Sequence, residues 1–312
     1  MEKLDLNILE RLGALTKQIR KEASGMGKIG VSINEIINYI EKKIFDNGYL
    51  PAFPATVSIN DVAAHYTIFD EEVILKKGDL IKIDFGISYK GFITDNACTV
   101  EVDSNEHEEL MKANFNGLNA ALEKANLNVP MSDIGLVVEA EAKKKGFNVI
   151  ENLTGHQIAI NNLHCGLSVP SYENGDMSRI EDNTEIAIEP FFTYGVPRVK
   201  NIGGGNILYL KNYKPVRDVI AKKVLAYIKE YYSILPFSKR WLVKEFVENL
   251  RNKTISKGAF DKRKVLYALR ILKREGIIYE FDALATEDGA LVSQYEDSVV
   301  FVDGKKSIIT RK

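Results

Sequence analysis

Two aspartates, Asp84 and Asp95, stand on the two arms of a segment of alternating apolar and polar residues, which predicts a β-hairpin over residues 78–102. If the turn centres on Tyr89-Lys90, the two aspartates face each other, with Cβ atoms about 4.5–5.5 Å apart. Facing carboxylates repel each other unless a divalent cation lies between them. The pair therefore favours a metal site; the alternative is an exposed polar face that carries an unfavourable pair.

Four further side chains extend this candidate site. His156 follows Gly155, which permits close backbone approach, and His164 lies in the same glycine-bounded segment. Each histidine alone is as well explained as a buried, hydrogen-bonded residue. Glu189 ends the apolar run IAIE, where a carboxylate is costly unless it is paired or bound to metal. Glu296 in SQYEDSVVF is a similar but weaker case, because Asp297 beside it shows that this segment tolerates charge.

The residue types indicate which metals the site would take. Two Asp, one His and two Glu form a mostly hard, oxygen-rich ligand set, which suits two Mn, Fe, Co or Zn ions better than one structural zinc. In such a site the metals lie about 3.5–4 Å apart, activate a water and polarise the scissile carbonyl. The pattern therefore predicts metal-assisted hydrolysis.

The order of the predicted elements indicates which fold must position these side chains. Helices are predicted first, then strands, helices again, more strands, a helical stretch and two final strands joined by an Asp303-Gly304 turn. Ser32 is the predicted N-cap of the second helix. This order is typical of an α+β fold rather than of regular βαβ alternation. The helical stretches are predicted at residues 5–48, 105–126, 131–146 and 215–280.

An internal similarity links two of the candidate ligands. Residues 78–84 and 183–189 both begin with a turn residue, alternate along a strand, and end in Ile followed by a carboxylate. We expect two related halves of the molecule to present Asp84 and Glu189 from equivalent places.

Together these segments resemble the metal-site motifs of the methionine aminopeptidase family, in order and over nearly the whole chain. The matching segments are Ile83-Asp84-Phe85-Gly86, Asp95, Ala63-Ala64-His65-Tyr66, Gly155-His156, His164, Ala187-Ile188-Glu189-Pro190-Phe191 and Gln294-Tyr295-Glu296. The resemblance implies the pita-bread fold of creatinases and aminopeptidases, an α+β fold with two pseudo-symmetric halves. It also implies removal of N-terminal methionine from nascent proteins, with preference for a small second residue.

The resemblance also implies a role for each residue. Asp84 is expected to be a bidentate ligand of one metal, and Asp95 and Glu296 to bridge the two. His156 and Glu189 are expected to bind the other metal, with Glu189 accepting the proton of the attacking water. His65 and His164 are the expected catalytic contacts to substrate and to the tetrahedral intermediate. The methionine pocket is expected to be lined by Phe53, Leu163, Phe191 and Phe281.

Residues 214–281 resemble the helical insertion of type II enzymes, so we expect a catalytic domain of residues 1–213 and 282–312 interrupted by this insertion. The chain lacks the long polybasic extension of eukaryotic type II forms and looks archaeal. It departs from the family after Glu296, where the usual His-Thr is replaced by Asp297-Ser298. This departure concerns the surroundings of a bridging ligand and removes no ligand.

The insertion is basic: residues 215–280 hold 16 Lys and Arg against 7 Asp and Glu, although the whole chain has a net charge of −1. The pattern of residues 264–281 resembles a winged helix, so a weak contact with ribosomal RNA is one hypothesis. The favoured alternative is a helical lobe with a solvated basic face. Two cysteines, a charged N-terminus and no apolar run of membrane-spanning length predict a cytoplasmic protein without membrane contact, and nothing requires more than a monomer.

Three alternatives compete with this interpretation. A proline dipeptidase or aminopeptidase P shares the five ligands, but usually carries a large N-terminal domain. A degenerate relative that only binds RNA or protein would lose metal ligands, and all five are present. A Cys165–His164 nucleophile is disfavoured because neighbouring strand residues point apart.

Overall fold

The computed structural model describes residues 3–232, 234–248 and 261–311. Within these ranges no helix is both long enough and apolar enough to cross a membrane. The predicted insertion, 214–281, is therefore described in part, because residues 249–260 lie outside the described ranges.

Helices and strands follow the predicted order. The helices are α1 (Leu6–Ser24), α2 (Ile33–Asp46), α3 (Glu108–Lys124), α4 (Met131–Lys144), α5 (Val219–Tyr231), α6 (Lys239–Glu248) and α7 (Lys262–Arg274), with a final 3₁₀ turn at Ile309–Arg311. The strands are β1 (Leu50–Pro51), β2 (Thr56–Ile59), β3 (Val62–Ala64), β4 (Leu80–Tyr89), β5 (Phe92–Glu101), β6 (Asn148–Val149), β7 (Gly155–Ala159), β8 (Asn162–Val169), β9 (Thr184–Ile188), β10 (Phe191–Thr193), β11 (Val199–Leu210), β12 (Phe237–Ser238), β13 (Ile278–Thr286), β14 (Val292–Gln294), β15 (Glu296–Val302) and β16 (Lys305–Ile308).

The first two helices begin directly after residues that cap them. The Asp5 side chain accepts a hydrogen bond from the Ile8 amide, and the Ser32 side chain accepts one from the Asn34 amide. Such caps satisfy amides that have no partner inside the helix. Ser32 is thus confirmed as an N-cap.

The main sheet carries the helices on one face. Its path is β1-β4-β5-β15-β9-β7-β8, with β2 paired to β4 and β16 paired to β15. One buried cluster joins α1 and α2 to Ile81, Ile83 and Phe85 of β4, and another joins α3 and α4 to strands β9 and β15. Because side chains alternate along a strand, Asp84 points away from these helices.

The predicted insertion has a core of its own. Side chains of α5, α6 and α7 pack with Leu208, Phe237 and Ile278 in one buried cluster. Strands β12 and β13 both pair with β11, and β13 continues to β3. Because β13 runs from Ile278 to Thr286, the predicted boundary between residues 281 and 282 falls inside a strand that both parts share.

The predicted facing of Asp84 and Asp95 was wrong by two residues. Asp84 pairs with Ala97, and Asp95 pairs with Gly86. The turn is formed by Lys90 and Gly91 instead of Tyr89-Lys90, with φ of 52° and 85°. Two left-handed residues form the type I′ turn that matches the twist of a hairpin, and glycine is favoured at such positions. The two aspartates remain on one face as diagonal neighbours.

Candidate metal centre

The five predicted ligands come from five successive strands of the main sheet. In sheet order β4, β5, β15, β9 and β7 contribute one ligand each, and β8 next to them carries His164. The five ligands are Asp84, Asp95, Glu296, Glu189 directly after β9, and His156.

Strand register places all five on one face. Ala97 pairs with both Asp84 and Glu296, so these two acids lie in one row across the sheet. Ala187 pairs with His156, and Glu189 shares the face of Ala187 because it is two residues further along.

The ligand atoms converge on a small volume. Single donor atoms of Asp95, His156 and Glu296 lie within 4.8 Å of one another. His156 Nε2 lies 3.5 Å from Asp95 Oδ2 and 3.8 Å from Glu189 Oε1. The Gln294 amide nitrogen lies 3.5 Å from Asp84 Oδ2 and 3.4 Å from Glu189 Oε2. Gln294 thus spans the two carboxylates that are expected to bind different metals.

Burial makes this cluster unfavourable without a cation. Glu296 is 1% exposed, Asp95 4% and His156 9%. Buried atoms without a hydrogen-bond partner include Asp84 Oδ1, Asp95 Oδ1 and His156 Nδ1. Burial raises the pKa of Asp95 to about 8, and burial, followed by repulsion from Asp95, raises the pKa of Asp84 well above its usual value. Unpaired buried ligand atoms and mutual repulsion both fit bound divalent cations.

The same effects act on Glu189 and Glu296. Burial, followed by repulsion from Asp95, raises the pKa of each well above that of an ordinary glutamate. The histidines shift in the opposite direction: burial lowers the pKa of His156 and of His65 to about 4. Both imidazoles are therefore neutral near pH 7, which is the form that ligates metal and accepts or donates hydrogen bonds.

A cavity of about 70 Å³ opens onto the cluster. Of the predicted substrate contacts, His65, His164, Phe53, Leu163 and Phe281 line it. The sixth, Phe191, is 1% exposed and packs in a buried cluster with Ala64, which does line the cavity. The structure therefore places Phe191 behind the cavity wall.

Other lining residues were not predicted from the sequence. They are Thr56, Ala64, Ile207 and Pro236. Pro236 belongs to the insertion, and its neighbour Leu235 packs against the cluster that contains Phe53 and Leu163. Gln294 belongs to the motif Gln294-Tyr295-Glu296, but its contacts to Asp84 and Glu189 arise only in the folded sheet.

Two glycines allow the cavity to form. A Cβ on Gly86 would lie 2.8 Å from Phe53 Cε1 and 2.4 Å from the Thr94 carbonyl oxygen. A Cβ on Gly205 would lie 2.6 Å from the His65 carbonyl oxygen. His65 itself has a φ of 62°, a left-handed conformation that is uncommon for a residue with a side chain. Its backbone is thus held in an unusual shape that turns the ring toward Phe281, with ring centroids 5.5 Å apart.

The second imidazole at the cavity is His164. Its ring centroid lies 4.2 Å from that of His156. Burial and electrostatic repulsion from His156 lower the pKa of His164, although part of its side chain faces solvent. Cys165 beside it donates to the Gln157 carbonyl oxygen at 3.4 Å, and burial raises its thiol pKa, which disfavours a thiolate nucleophile.

The sequence of this chain is similar to those of known proteins. Residues 7–212 match metallopeptidase family M24. The chain is 36% identical to a methionine aminopeptidase of Pyrococcus horikoshii, over 98% of this chain and 100% of that protein. It is 34% identical to a methionine aminopeptidase of Methanothermobacter thermautotrophicus, over 96% and 97% of the two chains.

Solved structures show the same fold at low sequence identity. A structure described as a thermophilic Arx1 has a TM-score of 0.80 and 16% identity, covering 98% of this chain and 91% of its own. Methionine aminopeptidase from Thermotoga maritima has a TM-score of 0.68 and 16% identity, covering 100% of both chains. Prolidase from Pyrococcus horikoshii has a TM-score of 0.59 and 14% identity, and only 62% of its chain is covered.

Proposed function

The chain belongs to metallopeptidase family M24 and, within it, to the methionine aminopeptidases; on this premise we propose that two divalent metal ions act together in its site during removal of N-terminal methionine. The observation that carries the proposal is the set of five ligands on one sheet face, three of them buried and Asp84 and Glu189 half-buried, with unpaired atoms on Asp84, Asp95 and His156. A single ion would leave part of this buried negative charge uncompensated.

The metal ions would be held by Asp84, Asp95, His156, Glu189 and Glu296. When bound, Co, Mn, Fe or Zn ions at such a site supply Lewis acidity, which polarises the scissile carbonyl and lowers the pKa of a water. The chain's own residues then move the protons. Glu189 accepts the proton of the attacking water and returns it to the leaving amine.

Two histidines complete the proposed catalytic group. His164 lies at the cavity next to His156, where a neutral imidazole N–H donates to the developing oxyanion. His65, which directly follows β3, lines the cavity and binds the substrate backbone. The free α-amine of the substrate lies near Asp84, which restricts the reaction to the first peptide bond.

The apolar wall of the cavity explains the proposed preference for a methionine side chain. Phe53, Leu163 and Phe281 line it, and sulfur–aromatic contacts contribute about 0.3–1.5 kcal/mol each. Phe191 supports the wall from behind through its packing cluster with Ala64. We propose a preference for a small second residue, because the narrow cavity leaves little room beside the first side chain.

Release of free methionine from a Met-Ala-Ser peptide tests this proposal. Metal-free protein is compared with protein supplied with Co, Mn, Fe or Zn, and a Met-Trp-Ser peptide and a proline dipeptide serve as controls. We expect metal-dependent cleavage of Met-Ala-Ser alone, with two metal equivalents bound. Cleavage of the proline dipeptide instead would place the chain in the dipeptidase branch, and full activity with one bound metal would exclude the paired mechanism.

We also propose that the insertion, residues 214–281, makes a weak contact with ribosomal RNA while the protein acts as a cytoplasmic monomer on nascent chains. Exposed cations along α7 support this contact: Lys262, Arg263, Lys264, Arg270, Lys273 and Arg274, of which Lys262, Lys273 and Arg274 also form ion pairs with Asp70, Glu280 and Glu275. Phosphate contacts predict affinity that falls steeply with salt. Titration of the full chain with ribosomal RNA at two salt concentrations tests the contact, and affinity that does not change with salt contradicts it.

A further inference from the structure

The departure at Asp297-Ser298 coincides with a short junction inside the main sheet. Strands β4 and β5 pair along their whole length, from Leu80–Glu101 to Tyr89–Phe92. The recorded register between β5 and β15 consists of Glu296 with Ala97 and Asp297 with Asn96. This short junction separates Asp84 and Asp95 on one side from the other three ligands on the other.

Asp297 lies at this junction as a buried, fully paired carboxylate. It is 1% exposed. Its Oδ1 accepts from Arg20 Nη1 at 2.8 Å and from Thr310 Oγ1 at 2.7 Å, and its Oδ2 accepts from Arg311 Nε. One guanidinium comes from the first helix and the other from the C-terminal 3₁₀ turn, so both ends of the described chain meet on this side chain.

The network reaches the bridging ligands directly. Arg20 Nη1 also donates to the Glu296 carbonyl oxygen at 3.2 Å, and Arg20 Nη2 donates to the Thr310 carbonyl oxygen at 3.0 Å. The Ser298 hydroxyl accepts from the Asp95 amide at 2.8 Å and donates to the Asp95 carbonyl oxygen at 2.9 Å. The backbones of both expected bridging residues, Asp95 and Glu296, are thus fixed by this network.

Hydrogen bonds and close packing hold the C-terminal 3₁₀ turn, Ile309–Arg311, against β15 and α1. The Ser298 amide donates to Thr310 Oγ1 at 3.1 Å, and Lys17 donates to the Arg311 carbonyl oxygen at 3.1 Å. Gly13 of α1 lets the turn approach, since a Cβ there would lie 2.0 Å from the Ile309 carbonyl oxygen. Close packing of this kind is rigid, so a change at Asp297 is transmitted to the sheet.

We infer that Asp297 and Ser298 are positioning residues, which set the spacing of Asp95 and Glu296 across the β5–β15 junction. The inference rests on the proposed two-metal function. Side-chain hydrogen bonds of this network connect β5 and β15, where the backbone pairing is short. Residues that orient ligands in this way typically change metal affinity by about 10- to 100-fold when they are replaced.

Metal titration of purified full-length chain tests the inference. For Asp297→Asn we expect Mn²⁺ binding weakened by at least about tenfold in calorimetry, an altered visible absorption spectrum of bound Co²⁺, and a lower kcat with KM changed less than about twofold. Ser298→Ala is expected to change in the same direction. Ser298→Thr keeps the hydroxyl and is expected to restore wild-type affinity and spectrum.

Asp303→Asn is the matched control. Asp303 follows the same strand, but its pair with Lys3 is exposed, with both side chains more than two-thirds accessible at 71% and 73%. We expect this variant to match wild type in affinity, spectrum and kcat. Wild-type Mn²⁺ affinity and Co²⁺ spectrum in both Asp297→Asn and Ser298→Ala would overturn the inference, as would an equal loss in Asp303→Asn.

If Asp297→Asn does not fold, the contrast between Ser298→Ala and Ser298→Thr decides the question alone. Failure of the proposed function is distinguishable, because it shows in the wild type. A wild-type chain that binds Mn²⁺ but releases no methionine contradicts the proposed reaction, while the variants still report whether Asp297 and Ser298 position the ligands.

Discussion

At the residue scale, the candidate ligands are ordinary side chains whose protonation is set by burial. Asp95 and Glu296 are almost inaccessible to water, and Gln294 is the only amide side chain recorded as donating to Asp84 and Glu189 in the described part of the chain. One neutral donor at about 3.5 Å does not compensate several buried carboxylates. A cation is therefore needed to keep them ionised.

Glu189→Gln is expected to abolish methionine release, because an amide cannot accept the proton of the attacking water. We expect kcat to fall by at least about 100-fold, in line with general-base catalysis. The measurement is release of methionine from Met-Ala-Ser by metal-loaded protein whose metal content has been determined. Turnover near the wild-type rate with full metal content would remove Glu189 from the role of base.

Residue types were sufficient to pick out side chains that the fold brings together, because a carboxylate in an apolar strand and a histidine after glycine both stand out in the sequence. The cavity wall was less accessible to this reasoning. Pro236 reaches the cavity from the insertion, and no local pattern marks a proline for that role. Phe191 was expected to line the cavity, but lies behind Ala64 because β10 pairs between β6 and β14.

At the element scale, Gly86 decides how closely β4 approaches the Phe53 segment. Gly86→Ala places a Cβ against Phe53 and the Thr94 carbonyl oxygen, at distances that require movement. We expect a loss of about 1–3 kcal/mol in the free energy of unfolding and a raised KM for Met-Ala-Ser. Urea denaturation and steady-state kinetics measure the two effects.

Gly25→Ala is the control for this substitution. Gly25 has a helical φ of −67°, and the nearest atom to an added Cβ is 3.4 Å away. We expect a change within about 0.5 kcal/mol. Equal effects of the two glycine substitutions would contradict the packing explanation.

Glu41 joins α2 to the insertion. Its carboxylate accepts from Arg240 Nη2 at 2.8 and 2.9 Å and from Trp241 Nε1 at 2.9 Å, and its side chain is 6% exposed. Burial raises its pKa, although the guanidinium of Arg240 acts to lower it. The pair holds α6 against the catalytic part of the chain.

Glu41→Ala is expected to lower the free energy of unfolding by about 3–5 kcal/mol, because it removes the charged partner of the largely buried Arg240 guanidinium and the acceptor of Trp241 Nε1, and leaves Arg240 a hydrogen bond to the neutral Asn38. Lys42→Ala removes an exposed pair with Asp46 from the same helix and is expected to cost less than about 1 kcal/mol. Chemical denaturation of metal-free protein compares them. A loss below about 1 kcal/mol for Glu41→Ala would show that the contact contributes little.

The hairpin shows the limit of sequence reasoning at this scale. Alternation fixed which side chains share a face, and that part of the expectation holds for Asp84 and Asp95. The register depended on the turn, and Lys90-Gly91 was displaced by one residue from the expected Tyr89-Lys90. A shift of one position in the turn moves each facing partner by two residues, so parity survives while pairing does not.

At the scale of the whole molecule, the buried carboxyls link stability to pH when metal is removed. In the unfolded chain an aspartate loses its proton near pH 3.8, whereas burial keeps Asp95 protonated to about pH 8. The folded state therefore binds more protons between these values, and its stability falls as pH rises. Asp84, Glu189 and Glu296 shift in the same direction. Below pH 6.5 the buried histidines oppose this trend, because they must remain neutral.

We therefore expect the Tm of metal-free protein to fall above pH 6.5, where the four carboxyls outnumber the buried Lys82, whose pKa burial lowers to about 7 and whose titration acts in the opposite direction. Added Mn²⁺ is expected to raise Tm and to remove the decline, because bound ligands are deprotonated. Glu296→Gln should make the decline shallower in the metal-free state. Scanning calorimetry with and without a chelator measures this, and a Tm that stays level or rises without metal contradicts it.

The α+β class and the order of elements were predicted from the sequence, and the family resemblance supplied the pita-bread fold. The path of the main sheet was beyond local patterns. Strand β15 pairs with β5 and β9, which lie far from it in the chain. Such pairings are set by packing of the whole molecule. The context of Glu296 in its own strand made it a weak candidate, and the motif resemblance supported placing it with Asp95.

The central place of β15 has a consequence for how the protein is made. Translation delivers β4, β5, β7 and β9 first, and β15, which pairs between β5 and β9, is synthesised more than 100 residues after β9 begins. Pairing at such long sequence separation gives a high contact order, and closure of the sheet must wait for it. Until then, the strands that carry Asp84 and Asp95 are not joined in one sheet to those that carry His156 and Glu189. An enzyme that acts on the beginnings of other proteins thus gains the relative placement of its two ligand groups only once β15 has been made.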